Sequence, residues 1–368
     1  MIYTEDLLKN FLSNNINFFT GVPDSILKNF LSKINKYNKD KHIVAVNEGS
    51  AVSIGIGYYL STRKIPCVYM QNSGLGNSIN PLISIAHKNV YSIPLLLLIG
   101  WRGAPGTSDE PQHITKGKIT TRILKSLGIK YHILKNKNDL KKINKLTKYS
   151  LKNKKIVACL IKKNILKNKI DKSFKAKRKN SIFRYEFLSH LLDQIKKNTN
   201  VISTTGYTSR EIIHLRNEKK IKNGKYFYMV GGMGHSLAVS LGVSLNSKNT
   251  TVCVDGDGSI LMHLGSMRSV AYYGNSNLKH IVLNNNSHES VGGISTNIEG
   301  SNLKTFCKGI GYKNYFNIKS KKNSKKIISN FLQSKGPSLL EVKISNGSFK
   351  NLLRPNNLIK IKNKFLKK

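Results

Sequence analysis

The chain has 368 residues, enough for two domains of ordinary size, and its 39% hydrophobic and 8% aromatic content suits packed cores and excludes a disordered polymer. Lys and Arg number 62 against 18 Asp and Glu, a formal net charge of +44 that would ordinarily raise a nucleic acid or an anionic membrane as the partner. The basic residues are interleaved with Asn and Ile through nearly every surface-like segment and accompany no nucleic-acid-binding motif, so they predict non-specific, salt-sensitive adhesion to polyanions and no specific nucleic-acid partner. The longest apolar run, 93–99, is too short to span a membrane, and the opening MIYTEDLLKN has no apolar signal core. Cys67, Cys159, Cys253 and Cys307 lie far apart without CxxC spacing, which predicts buried, reduced thiols in a cytoplasmic protein.

Residues 1–165 alternate candidate strands and helices. The runs 17–20, 42–46, 66–70, 94–99, 130–134 and 156–161 are nearly continuous in apolar residues, as parallel strands covered on both faces are. Helical patterns lie between them, for example 24–34 after Pro23 and 50–60, and together these predict one doubly wound α/β domain over 1–165. The basic, mostly polar stretch 162–179 lacks periodicity and reads as a linker, with 166–180 assigned to it. The pattern then restarts, with a helix near 184–196 and strands at 201–205, 226–230, 251–254, 280–283, 312–316 and 338–344. A second doubly wound domain is therefore predicted over 181–368, ending in a basic tail, 346–368, that lies on the surface.

In the first half Asn47-Glu48-Gly49-Ser50 directly follows the strand HIVAV, and a carboxylate at the carboxyl end of a buried strand stands out in so acid-poor a chain. It could serve chemistry, or it could be a helix-start carboxylate stabilised by the dipole. Asp24, in Gly21-Val22-Pro23-Asp24-Ser25, suits a cap on the helix that follows. His113 lies in a polar loop after the longest strand, and His288 follows a polar loop of the second half; both are candidate proton donors. Thr204-Thr205-Gly206-Tyr207-Thr208 ends a strand with hydroxyls suited to phosphate. Gly231-Gly232-Met233-Gly234 makes either a plain tight turn with Met233 in the core or a platform where backbone approaches a planar ring beside one protruding side chain.

The most informative stretch is 251–293, TTVCVDGDGSILMHLGSMRSVAYYGNSNLKHIVLNNNSHESVGG. It reads as a βαβ unit that delivers Asp257 and Asn285 from the carboxyl ends of two strands to one crevice. One carboxylate, one amide oxygen and one backbone carbonyl would suit magnesium shared with a phosphate. Gly256, Gly258 and Ser259 would let the backbone approach that phosphate.

This GDG followed by NN resembles the motif of the thiamine diphosphate enzymes. The resemblance implies that Asp257, Asn285 and the carbonyl of Ser287 hold Mg2+ on the diphosphate, with Gly256, Gly258, Ser259, Thr205 and Gly206 around it. It implies that Gly231 and Met233 hold and bend the aminopyrimidine, and that Glu48 bonds the ring nitrogen and drives the imino tautomer. The chain departs from the family in Asn286-Ser287, where a small or acidic residue often follows NN. In this family the two halves of the site come from two subunits, so a homodimer or larger homo-oligomer with active sites between subunits is expected.

The motifs GVPDS, NEGSAVSIGIGYYL, QNSGLGNSINPL, GWRGAPGTSDEPQH, GGMGHS, GDGSILMHLGS and NNNSHESVGG, in this order and without a middle domain, resemble the phosphonopyruvate decarboxylase family, with the sulfopyruvate decarboxylases near it. The basic tail departs from the family's more acidic one. The resemblance implies the two-domain thiamine diphosphate-binding fold, pyrimidine-binding over 1–165 and diphosphate-binding over 181–368. It also implies thiamine diphosphate- and Mg2+-dependent decarboxylation of 3-phosphonopyruvate, a small 2-oxo acid, to phosphonoacetaldehyde in phosphonate biosynthesis. Sulfopyruvate or another 2-oxo acid is the alternative substrate. Asp24, His113 and His288 would handle protons, and Arg102 in GWRG would meet the phosphonate, since a guanidinium forks onto two oxygens. A Rossmann-type oxidoreductase is the competing α/β reading, but no GxGxxG with a following acid opens a helix here.

Overall fold

A computed structural model describes residues 1–168 and 182–367. It divides into two compact units, Met1–Phe174 with Val291–Ile294 and Lys175–Ser290 with Ser295–Lys368. The first carries strands β1 (Phe19–Gly21), β2 (His42–Val44), β3 (Cys67–Gln71), β4 (Leu96–Trp101), β5 (Lys130–Leu134) and β6 (Val157–Lys162). They form one parallel sheet in the order β2-β1-β3-β4-β6-β5. The second carries β7 (Asn200–Ser203), β8 (Lys225–Tyr228), β9 (Thr251–Gly256), β10 (Leu278–Asn284), β11 (Asn314–Ile318) and β12 (Ser338–Lys343). They form a parallel sheet in the order β8-β7-β9-β10-β12-β11. The two orders are the same when each unit is counted from its own first strand.

The near-continuous apolar runs have the cause expected of them. Along the central strands of the first unit Cys67, Tyr69, Leu96, Leu98, Cys159 and Ile161 enter one core, while Val68, Met70, Leu97, Ile99, Ala158 and Leu160 enter the other. Successive side chains point to opposite faces and both faces are covered. In the second unit Val252, Val254, Ile281 and Leu283 fill one core, with Cys253, Leu278, Val282 and Leu339 in the other. Each large side chain buried in this way contributes about 1.5–3 kcal/mol relative to an exposed one. All four cysteines are buried and free.

Some boundaries differ from those read in the sequence. The helix expected at 24–34 is Lys28–Ile34, because Asp24 closes a turn ahead of it: its Oδ2 accepts from the N–H groups of Ile26 (2.9 Å) and Leu27 (3.1 Å). The helix near 184–196 ends at Leu192. Leu166–Lys167, within the stretch read as linker, is a short strand paired in parallel with Ile2–Tyr3; residues 169–180 of that stretch lie outside the described residues. The tail ends in a helix, Leu358–Leu366, whose Phe365 ring lies 5.8 Å from that of Phe227. No helix among the described residues is long and apolar enough to cross a membrane.

Parallel strands put all their carboxyl ends on one edge, where such sheets mount their ligands. In the first unit that edge carries the segments bearing Asp24, Glu48, Gln71 and Arg102; in the second it carries Thr204, the glycines 231–234, Asp257 and Asn285.

Candidate active site

In the second unit the loops after β9 and β10 meet at Asp257, which is only 4% exposed. Its Oδ1 accepts from the Gly258 N–H (2.9 Å) and its Oδ2 from the Thr296 hydroxyl (2.9 Å), and the N–H groups of Asn286 and Ser287 also face it. Burial pushes the carboxyl up to about 6 against those hydrogen bonds. The Oδ1 of Asn285 accepts from Ser287 N at 3.1 Å. Ser287 Oγ and Asn286 Oδ1 are buried without a partner among the described residues. Gly258 packs closely against His288, and a Cβ there would sit 2.7 Å from Cε1 of that ring and force it to move.

The neighbouring loops are tied to this centre. Ser259 Oγ accepts from Gly234 N (3.0 Å) and from Thr204 Oγ1 (3.2 Å), so its hydroxyl braces three loops and is engaged within the protein. Thr205 and Gly206 are half-buried at the start of the helix Tyr207–Glu218, whose first N–H groups are the kind that receive phosphate. Gly256 has nothing within 4 Å of where a Cβ would stand, and Gly206 only Ser290 Oγ at 3.9 Å, so backbone is open to an incoming group at both. Met233, between Gly232 and Gly234 with their positive φ, is half-buried and so does not take the core position that a plain turn would give it; Gly231 is likewise half-buried. A buried carboxylate, hard oxygens and unpaired polar atoms beside open glycines fit a divalent cation carrying a diphosphate.

In the first unit Glu48 is the first residue of the helix Glu48–Thr62 and is 5% exposed. The capping is done by Asn47, whose Oδ1 accepts from Ser50 N at 2.8 Å, which leaves the Glu48 carboxylate for another task. Its Oε2 accepts from Asn77 Nδ2 at 2.8 Å, and Gly74 packs against it so closely that a Cβ would lie 2.4 Å from its Cγ. Burial lowers the Lys116 ammonium, and the Glu48 charge partly restores it.

The other candidates are more constrained. Asp24 is fully buried, its Oδ1 accepting from Gln71 Nε2 at 2.8 Å, with the cap described above on its other oxygen. Arg102 forks onto Asp109 through Nε (2.7 Å) and Nη2 (2.5 Å), reaches Glu110 (3.2 Å), and gives Nη1 to the Ser25 hydroxyl (3.1 Å). Burial, then the Arg102 charge, holds His113 down to about 4, and burial holds His288 to about 4. Both shifts favour the neutral imidazole, which can accept a proton at one ring nitrogen and donate from the other. Sequence reasoning missed Thr296, Asn77 and a chain of charges, the buried Glu211 and Arg184 and the half-buried Glu289. The available signal was Glu211 beside the apolar Ile212-Ile213, in a chain with only 18 acids.

Residues 2–127 match the thiamine pyrophosphate enzyme, N-terminal TPP binding domain, and residues 205–342 match the C-terminal TPP binding domain. Phosphonopyruvate decarboxylases of Streptomyces viridochromogenes and Streptomyces hygroscopicus are each 30% identical over 96% of this chain and over 91% and 90% of their own lengths. A sulfopyruvate decarboxylase of Methanosarcina acetivorans is 25% identical over 94% of this chain and 92% of its own. The chain, with two parallel α/β units and loops that fit a diphosphate, belongs to the thiamine diphosphate-dependent decarboxylase family that contains the phosphonopyruvate and sulfopyruvate decarboxylases, and is a carboxy-lyase.

Proposed function

We propose that the enzyme decarboxylates 3-phosphonopyruvate to phosphonoacetaldehyde and CO2, using thiamine diphosphate and Mg2+, as a step of phosphonate biosynthesis. The observation that supports the cofactor reading is that the 285–287 loop meets the buried Asp257, whose carboxylate accepts from the N–H groups of Asn286 and Ser287. Among the relatives that match nearly the whole chain, the phosphonopyruvate decarboxylases are more similar than the sulfopyruvate enzyme, which favours the phosphonate substrate.

In this reading Asp257, the Asn285 amide oxygen and the Ser287 carbonyl hold Mg2+, while Gly256, Gly258 and Gly206 admit the diphosphate to the backbone. Gly231 and Met233 support the aminopyrimidine, and the buried Glu48 carboxylate bonds its ring nitrogen. When bound, thiamine diphosphate supplies the nucleophilic carbon and the electron sink that decarboxylation requires. Arg102 Nη1 donates to the neutral Ser25 hydroxyl, which a phosphonate oxygen displaces while Asp109 keeps the other face of the guanidinium fixed. Proton handling falls to His113 and His288, and Asp24 is engaged in its turn. Assembly as a cytoplasmic homo-oligomer with active sites shared between subunits completes the proposal.

The test is CO2 release from phosphonopyruvate, sulfopyruvate and pyruvate side by side, with and without a chelator. The expected result is the highest kcat/KM on phosphonopyruvate and no turnover once the divalent cation is stripped. Preference for sulfopyruvate would replace the substrate, and turnover that survives chelation would remove the metal.

A further inference from the structure

Beside the loop that follows β10, three charged side chains have no part in the chemistry proposed above. Arg184 is 4% exposed and Glu211 is fully buried, a placement charged groups tolerate only when paired. Arg184 gives Nη1 to Glu211 Oε1 (3.2 Å) and Nη2 to Glu289 Oε2, and its guanidinium carbon lies 5.5 Å from the centre of the Tyr207 ring. Glu289 makes two more bonds: Oε1 accepts from the Gly347 N–H at 2.5 Å, and Oε2 accepts from Asn285 Nδ2 at 3.3 Å.

The last contact decides how the Asn285 amide is turned. An ionised carboxylate only accepts, so the atom of Asn285 that faces Glu289 is the amide nitrogen. A backbone N–H only donates, so the atom that faces Ser287 N is the oxygen. Two independent partners thus give one orientation to a group whose nitrogen and oxygen are otherwise interchangeable in shape. Having accepted one bond from Ser287, that oxygen keeps a second lone pair. An amide turned the other way would present NH2 to a cation.

We propose that Glu289, clamped between Arg184 and the Gly347 N–H, is the positioning residue that turns the Asn285 amide oxygen toward the divalent cation. The proposal rests on the assignment of Asn285 as a ligand of that cation. Glutamine is not an equivalent replacement. If its carbonyl faces Asn285 and Arg184, its NH2 meets the Gly347 N–H, donor against donor; the reverse orientation sets NH2 against NH2 and against the guanidinium.

The experiment compares Glu289→Gln, Asn285→Ala and the double variant of the full chain. Mn2+ binding in the presence of thiamine diphosphate is followed by electron paramagnetic resonance, cofactor binding at saturating Mg2+ by calorimetry, and folding by thermal melting. Outer partners of metal ligands typically contribute ~10–100-fold in affinity, and Glu289→Gln is expected to weaken Mn2+ binding in that range. Cofactor affinity at saturating Mg2+ should stay near that of the parent, and the double variant should bind Mn2+ no more weakly than Asn285→Ala alone. Parent-like Mn2+ affinity in a folded Glu289→Gln protein, with Asn285→Ala weakened, would overturn the positioning role and leave Asn285 a ligand. Parent-like affinity in Asn285→Ala would overturn the ligand assignment itself. If the Gln variant does not fold, Glu289→Asp, which keeps the charge facing Arg184, is measured in its place: intermediate Mn2+ affinity supports the role and unchanged affinity removes it.

Discussion

The two units share a strand order and differ in what their carboxyl edges do with charge. In the first, most charges near that edge are consumed by one another: Arg102 is held by Asp109 and Glu110, and Asp24 by its own turn, while Glu48 stays buried with the neutral Asn77 amide as its hydrogen-bond partner. In the second, two loops turn oxygens and N–H groups onto Asp257, and the ion pairs, Glu211 to Arg184 to Glu289, sit alongside that cluster. The same framework can thus isolate one carboxylate or gather a set of ligands. The loops, whose sequences bear no visible relation to one another, make the choice.

That contrast predicts two kinds of failure. Asp257→Ala should have the largest effect: on the proposed function, cofactor retention and activity are lost together, because a cation held there would lose its carboxylate. Retention of thiamine diphosphate by this variant through gel filtration would break the comparison at its stronger end. Glu48→Gln keeps size and a hydrogen bond but not the charge. It should lower kcat by ~10²–10⁴-fold while leaving cofactor affinity near normal. An equal loss of binding and turnover would mean that the first unit also gathers ligand rather than activating it.

The smallest expected effect concerns the charge chain. Burial pushes Glu211 up to about 7, with Arg184 pulling it down and Glu289 pushing it up. A carboxyl raised on folding contributes stability that is complete below its ordinary value near 4.5 and is lost as pH rises through about 7. Relative to Glu211→Gln, whose amide does not titrate, the parent should lose up to about 3 kcal/mol between those pH values, read from urea midpoints. A pH-independent difference would show that Arg184 keeps Glu211 ionised throughout.

Much of this was legible in the sequence because the information is local. Parallel strands covered on both faces write themselves as apolar runs, and each of the runs read in this way became a strand of one of the two large sheets. The ends of the runs were less legible, since residues such as Gly21 and Asn284 continue a ladder without changing its composition. The spacing between Asp257 and the 285–287 loop was legible because helical segments and one strand separate them, although the structure has two short helices there where the sequence read one. The Arg102–Asp109 fork and the Arg184–Glu289 pair were not found. The former joins ends of one loop and the latter residues 105 apart, and neither has a periodic signature. Asp24 was readable as a cap, yet nothing in its neighbourhood revealed that Gln71 would take its other oxygen.

The two-residue strand at the start of the chain has a further consequence. Ile2–Tyr3 lies along Leu166–Lys167, and Thr4 Oγ1 reaches Asn168 Oδ1 at 2.7 Å, so the two ends of the stretch 1–168 lie side by side. The second does likewise, Phe183 bridging Ser345 close to where its sheet is completed. Each half is therefore a fastened loop of chain, and a break in the polypeptide between 168 and 182 would leave neither half with a loose strand. Made as separate polypeptides, residues 1–168 would lack Ile294, which belongs to the first unit's core, and would keep the rest of it, so a gene encoding this enzyme could be divided in two at the cost of one core side chain.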